Sequence, residues 1–136
     1  MKPLLSIIIP VYNEQGSLPE LYRRIGQVMA GLAERYDYEL IVVDDGSIDG
    51  SDQIVAALAQ GDSRVCQIIF SRNFGKEIAT SVGLASARGS AAIMLDADLQ
   101  HPPELIQEFL QRLEQGAEVV VGVRQTNRGE DIIKRM

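Results

Sequence analysis

Two aspartates stand one residue apart in IMLDADLQHPPEL, residues 93–105, directly after a run of apolar side chains. In an extended segment residues two apart face the same side. Asp96, Asp98 and Gln100 would then point together, with small Ala97 between the acids. Like charges at the end of a buried run repel unless something positive lies between them. Hard divalent cations such as Mg²⁺ or Mn²⁺ favour carboxylate and carbonyl oxygens, and Mg²⁺ is typically held by one or two carboxylates plus substrate phosphates. The competing reading is a polar turn that caps the next helix, since a D-x-D spacing is common by chance. The hydrophobic lead-in and the position at a strand exit favour the metal. His101, next in line, is read as a solvated residue beside the helix start.

Three other stretches carry similar chemistry. In VVDDGSIDGS, Asp44, Asp45 and Gly46 leave an apolar run into a tight turn. Asp49 or Ser51 is placed to cap the following helix. Asp44 could accept a hydrogen bond from a base N–H or from ribose hydroxyls, as acids after a second strand do in dinucleotide folds. The first apolar run, however, exits into PVYNE and carries no GxGxxG, which disfavours a dinucleotide site. PVYNE supplies Pro10 for a rigid backbone, Tyr12 for stacking and Glu14 as an acceptor. SRNFGKE supplies Arg72 and Lys76, positive charge suited to a diphosphate. Arg124 and Arg128, farther on, add to it.

The elements that must position these groups follow from the hydrophobic pattern. LLSIII (4–9), ELIVVDD (39–45), VCQIIFS (65–71), AAIMLDAD (91–98) and EVVVGV (118–123) are short runs apolar on both faces. Such runs read as strands of a parallel sheet covered on both sides. Helical patterns separate them. Ser17-Leu-Pro-Glu20 is a capping-box sequence opening LPELYRRIGQVMAGLAERY, in which Leu18, Leu21, Ile25, Val28, Met29 and Leu32 form one stripe. SDQIVAALAQG, KEIATSVGLASARG and PPELIQEFLQRLEQG are the others. Strand and helix alternate four times before a fifth strand, which predicts an α/β fold: a mostly parallel sheet flanked by helices, with right-handed crossovers. In open sheets of this kind ligands bind beyond the carboxyl ends of the strands, where strand order reverses. All four polar stretches would lie on that edge.

The chain has 136 residues, 46% hydrophobic and 24% charged, which suits one soluble domain. A net charge of −6 offers no broad basic field, so nucleic acid is excluded as a partner. The single cysteine, Cys66, cannot form an intrachain disulfide, fits a reducing compartment and is read as a buried packing thiol. The apolar start is too short to span a membrane and no small-residue cleavage site follows it, so no signal peptide is expected.

With these residues assembled, SIIIPVYNE (6–14), LIVVDDGSIDGS (40–51), SRNFGKEIA (71–79), LDADLQHPPE (95–104) and VVGVRQTNRGE (120–130) resemble, in that order, the family 2 glycosyltransferases of the GT-A fold. Among them the chain is most similar to the polyprenyl-phosphate glycosyltransferases. The resemblance implies a nucleotide-sugar donor, with a UDP-sugar favoured, and a polyprenyl-phosphate acceptor. It implies that Pro10, Tyr12 and Glu14 line the nucleotide pocket, that Asp44 contacts the base and that Asp45 supports the turn. It makes Asp96 and Asp98 the catalytic metal-bearing pair, with Gln100 completing or neighbouring the site and Mg²⁺ or Mn²⁺ as cofactor. Arg124 and Arg128 match a basic segment near the donor and acceptor phosphates. Family members are about twice this length, so residues 1–136 are read as the N-terminal nucleotide-sugar-binding part. The full-length protein is expected to work at the cytoplasmic face of a membrane, and a homo-oligomer is left open.

Two rival readings remain. One is a catalytically incompetent nucleotide-sugar-binding fragment. The other is an aspartyl phosphotransfer domain, whose nucleophilic acid usually follows the first strand; here the acid pair follows the fourth and precedes Leu99-Gln100.

Overall fold

The computed structural model describes residues 2–100, 102–116, 120–124 and 131–135, the last two segments as backbone. The elements are β1 (Leu4–Val11), α1 (Leu18–Ala30), β2 (Asp37–Asp44), α2 (Ser51–Gly61), β3 (Val65–Ile69), α3 (Lys76–Ser86), β4 (Ala91–Met94), α4 (Leu105–Glu114), β5 (Val120–Arg124) and β6 (Asp131–Arg135). The first four strands form one parallel sheet in the order β3-β2-β1-β4. Strand order therefore runs one way from β1 through β2 to β3, then reverses to place β4 on the other side of β1. In open α/β sheets a ligand crevice lies beyond the carboxyl ends of the strands where the order reverses, here between the β1 and β4 exits.

The unbroken apolar runs resolve into two faces once the pleat is applied. Leu5, Ile7, Ile9 and Val11 of β1 share a core with Leu40 and Val42 of β2 and Ile93 of β4. The stripes of α1 (Leu18, Leu21, Ile25, Met29) and α4 (Ile106, Phe109, Leu110), with Val55 of α2, close over that face. On the other face Ile8, Ile41 and Val43 meet Ala79 of α3. One face thus takes three helices and the other takes α3.

That asymmetry corrects one expectation. Cys66 is exposed, not a buried packing thiol. It stands on the edge strand β3 opposite Ile41, on the face that, among the described residues, is covered by α3. Met94 of β4, opposite Ile8, is exposed on the same face.

The fifth run also takes a different place. β5 pairs antiparallel with β6 in a two-stranded sheet, and β6 was not expected. The short link between them suits a hairpin, since a parallel partner needs a crossover of about a dozen residues or more. In α1, Ser17 is the N-cap residue but makes no side-chain cap. Its one proton goes elsewhere, as described below.

At the amino ends of the strands two polar clusters hold the layers. Glu39, buried in β2, accepts from Ser6 Oγ at 2.6 Å, the Arg88 amide at 2.8 Å and Arg88 Nε at 3.1 Å, which fixes the α3–β4 turn. Asp62, after α2, accepts from Arg64 Nε at 2.9 Å and from the Tyr22 hydroxyl of α1 at 2.7 Å. The Arg64 guanidinium holds its carboxyl at about 2 against the opposing push of burial, and Tyr22 helps.

Two predictions follow from packing and charge. A Cβ at Gly83 would lie 2.5 Å from Ile8 Cγ2, whereas one at Gly26, inside α1, meets nothing within 4 Å. Gly26→Ala should raise the urea-unfolding free energy by roughly 0.5–1 kcal/mol through helix propensity. Gly83→Ala should lower it by about 1 kcal/mol, because overpacking a β-branched neighbour outweighs the same propensity gain. The folded-state pKa of Asp62 lies below its ordinary 3.8, so its stabilisation is present above that value and is lost as pH falls toward 2. Between pH 4 and 2 the wild type should lose about 1 kcal/mol more than Asp62→Asn, after allowance for screening. Parallel acid-unfolding curves would refute this.

Candidate functional site

The four strand exits are bonded into one surface. Asn13, just past β1, sits at φ +53, a left-handed conformation that asparagine tolerates better than most residues. Its Oδ1 accepts the amides of Ile48 at 2.8 Å and Asp49 at 3.3 Å, and its own amide donates to Ser47 Oγ at 2.9 Å. The Glu14 amide donates to Ser51 Oγ, the Gln15 amide to Asp49 Oδ2, and the Gly50 amide to Gln15 Oε1. The β1–α1 and β2–α2 loops therefore behave as one plate. Asn13 was missed from sequence; an asparagine at a loop position suited to left-handed backbone was the available signal. Asp49 does serve the start of α2, accepting the Ser51 amide at 2.8 Å, while the Ser51 hydroxyl serves Glu14 instead.

Ser17 joins this plate to the acid pair. Its hydroxyl donates to the Ala97 carbonyl at 2.6 Å; the missing cap goes with its helical backbone, φ −99 and ψ −19, where a capping residue is extended.

At the β2 exit Asp44 and Asp45 are both buried, at 0% and 3% exposure. Asp45 accepts the amides of Phe74 at 2.7 Å and Gly75 at 3.0 Å and the Asn73 side-chain amide at 3.0 Å. It thus supports the β3–α3 loop more than its own turn. Gly46, at φ +79, lets that loop close in: a Cβ there would lie 2.4 Å from the Arg72 carbonyl carbon. Asp44 Oδ1 accepts the Ser47 amide at 2.8 Å. Its Oδ2 is buried with no hydrogen-bond partner among the described residues. Such an acceptor costs about 1–3 kcal/mol unless a donor arrives, so a ligand N–H or O–H suits it.

Beyond β3, Lys76 opens α3 and ion-pairs with Asp96. Arg72 turns away, its guanidinium 3.9 Å above the Phe74 ring. Beyond β4 the ladder continues as far as the Leu95 amide, 2.9 Å from the Ile8 carbonyl. The chain then turns. Leu99 lies at φ +64, strained for a bulky side chain, and is held by packing against the core. This turn ends the two-residue alternation after Asp98. Gln100 is exposed, and its amide donates to Asp98 Oδ1 at 3.0 Å.

A cleft of about 210 Å³ brings together Pro10, Tyr12, Glu14, Asp45, Lys76, Asp96 and Asp98. Asp44, fully buried, does not line it, nor do Arg72 and Gln100. Arg124 ends β5 as backbone, while Arg128 and His101 fall outside the described residues. Four of the lining side chains are acidic and one is basic, so an anion can enter this cleft only with a cation. The donor set fits a hard divalent ion. Two carboxylates stand together, no cluster of three or more His, Cys, Asp or Glu side chains competes among the described residues, and the Lys76 ammonium already occupies a cationic position against Asp96. A larger groove of about 490 Å³ lies at the opposite end, but its cations are matched: Lys2 with Asp37, Arg23 with Glu20, Arg64 with Asp62. The smaller cleft, at the switch point, is the candidate site.

Known proteins resemble this chain in sequence and fold. Residues 6–136 match the model of glycosyl transferase family 2. The undecaprenyl-phosphate 4-deoxy-4-formamido-L-arabinose transferase of Pseudomonas fluorescens is 46% identical over 140 residues, which cover 99% of this chain and 40% of that protein. A Pyrobaculum calidifontis mannosyltransferase solved with GDP-Man and Mn²⁺ superposes with a TM-score of 0.75 at 22% identity, covering 95% of this chain and 38% of that one. Glucosyl-3-phosphoglycerate synthase of Mycobacterium tuberculosis, solved with Mn²⁺, UDP-glucose and phosphoglyceric acid, superposes at 0.64 with 25% identity, over 87% of this chain and 42% of that one. The chain spans about 40% of the length of the curated relatives it matches. Its sheet and helices are those of the GT-A fold anticipated from the motifs. The chain belongs to glycosyl transferase family 2.

Proposed function

We propose that this chain forms the donor-binding half of a glycosyltransferase. It would move a sugar from a nucleoside-diphosphate sugar, with a UDP-sugar favoured, to a polyprenyl phosphate. The observation that carries the reading is the delivery of Asp96 and Asp98 by β4 into the same cleft as Tyr12 and Glu14 of the β1 exit. The name of the P. fluorescens relative supports the acceptor class.

In this reading Pro10, Tyr12 and Glu14 line the nucleotide, and the unpartnered Asp44 oxygen accepts from the base. Asp45 keeps the loop of residues 73–75 in place, and Lys76 meets the diphosphate. Asp96 and Asp98 hold Mg²⁺ or Mn²⁺, which when bound neutralises charge on the departing diphosphate. Gln100 neighbours that pair through its amide on Asp98. Arg72 would have to leave Phe74 to reach a phosphate. Arg124 and Arg128 are assigned to the donor and acceptor phosphates by their place after Val123.

The transfer is a single inverting displacement. An acceptor phosphate oxygen bonds to the anomeric carbon as the bond from that carbon to the diphosphate breaks, and the electron pair leaves with the nucleoside diphosphate. A phosphate monoester is largely ionised near pH 7, so the acceptor needs no general base. No helix among the described residues is long and apolar enough to cross a membrane. We place the work of the whole protein at the cytoplasmic face, where a lipid phosphate meets a soluble donor.

Calorimetry with UDP and GDP, with and without Mn²⁺, tests the reading. Metal-dependent UDP binding is expected. Asp96→Asn and Asp98→Asn should each weaken it at least ten-fold, about 1.4 kcal/mol. Asp44→Asn should weaken UDP with or without metal, because an acceptor facing the base becomes partly a donor. Wild-type affinity in both Asp96 and Asp98 variants would sink the assignment.

A further inference from the structure

Lys76 does more in this structure than offer charge to a phosphate. Its ammonium pairs with Asp96, the less exposed member of the acid pair, across the cleft. Among the described residues it is the one cation lining the cleft, facing Glu14, Asp45, Asp96 and Asp98.

The pairing is set by the backbone around it. Asp45, almost fully buried, accepts the amides of Phe74 and Gly75, so the residue that opens α3 emerges at a fixed point. Gly46 lets that loop pack directly on the β2 exit. The Asp45 carboxylate is already filled by these donors, and Asp98 Oδ1 by the Gln100 amide. Asp96 is the carboxylate that its ammonium reaches. The Lys76 side chain itself is 64% exposed, which leaves its tip room to turn.

A fixed root, a free tip and a carboxylate that a divalent ion also wants make a competition. We propose that Lys76 is an internal stand-in for the metal: it holds Asp96 until a divalent cation arriving with the nucleotide displaces it, and it then turns to the diphosphate. This rests on the donor-site reading above. The consequence is thermodynamic. A free cation must displace the ammonium with nothing offered in return, whereas a cation bound to a nucleoside diphosphate supplies Lys76 with a new anionic partner. Metal and nucleotide therefore strengthen each other's binding, and by linkage the two effects are equal. Lys76 acts here as a positioning residue, through Asp96 and the phosphate.

The test is Mn²⁺ titration, by calorimetry or by the electron paramagnetic resonance of free Mn²⁺, with and without UDP or GDP. Wild type, Lys76→Met and Lys76→Arg are compared. Lys76→Met should bind Mn²⁺ alone roughly three- to ten-fold more tightly, the scale of one partly exposed ion pair together with relief of cation–cation repulsion. The same variant should show weaker coupling between Mn²⁺ and nucleotide. Lys76→Arg should stay near wild type. A urea midpoint unchanged in both variants shows that the shift is not a folding effect. If wild type and Lys76→Met both take the Mn²⁺–nucleotide pair while their affinities for Mn²⁺ alone are equal, this proposal fails and the donor site stands. If wild type takes no metal–nucleotide pair, both fail together.

Discussion

The buried carboxylate of Asp45 is the interaction on which the site depends. It lies at the end of β2, yet its oxygens accept hydrogen bonds from residues 73–75, at the start of α3. A charge taken out of water is costly unless its lone pairs are filled, and here backbone amides fill them. The loop cannot move away without exposing that charge to an unmatched interior. Lys76 is consequently aimed at Asp96 by a residue that does not touch it, and Gly46 is needed because the two loops come closer than any side chain allows.

The same logic joins the remaining exits. Asn13 and Gln15 tie the β1 exit to the β2 exit, and Ser17 ties it to the carbonyl of Ala97 between the two aspartates. Loops that are usually the mobile part of an α/β fold are here cross-linked by short polar side chains. Strain is concentrated at Leu99, where the core contact of the side chain outweighs an unfavourable backbone. The acid pair therefore stands on a rigid frame, as a metal site requires of its supports.

The opposite face has a different character. Three helices cover one side of the sheet and α3 covers the other. Gly83 permits α3 to press against Ile8, but the helix is too narrow to cover β3 and β4 as well, which leaves Cys66 and Met94 exposed.

Much of this was legible in the residues. Runs apolar on both faces announced the parallel strands, and the polar stretch after each run located the site, because hydrophobic period and strand polarity are local properties. The acids at 96 and 98 and the residues of PVYNE could be singled out for the same reason. Three-dimensional pairing decided the rest. Nothing in VCQIIFS says that its strand lies at an edge, so the burial of Cys66 could not be read. Nothing in EVVVGV says that its partner runs antiparallel. Ser17 matched a capping sequence, but its backbone is helical rather than extended and its hydroxyl donates to a carbonyl eighty residues away in the chain. Asp45 and Lys76 could be marked as charged, whereas their partners at 73–75 and at 96 exist only once β1 is seated between β2 and β4. Sequence determined which groups reach the carboxyl edge of the sheet; strand order and non-local hydrogen bonds decided which of them meet.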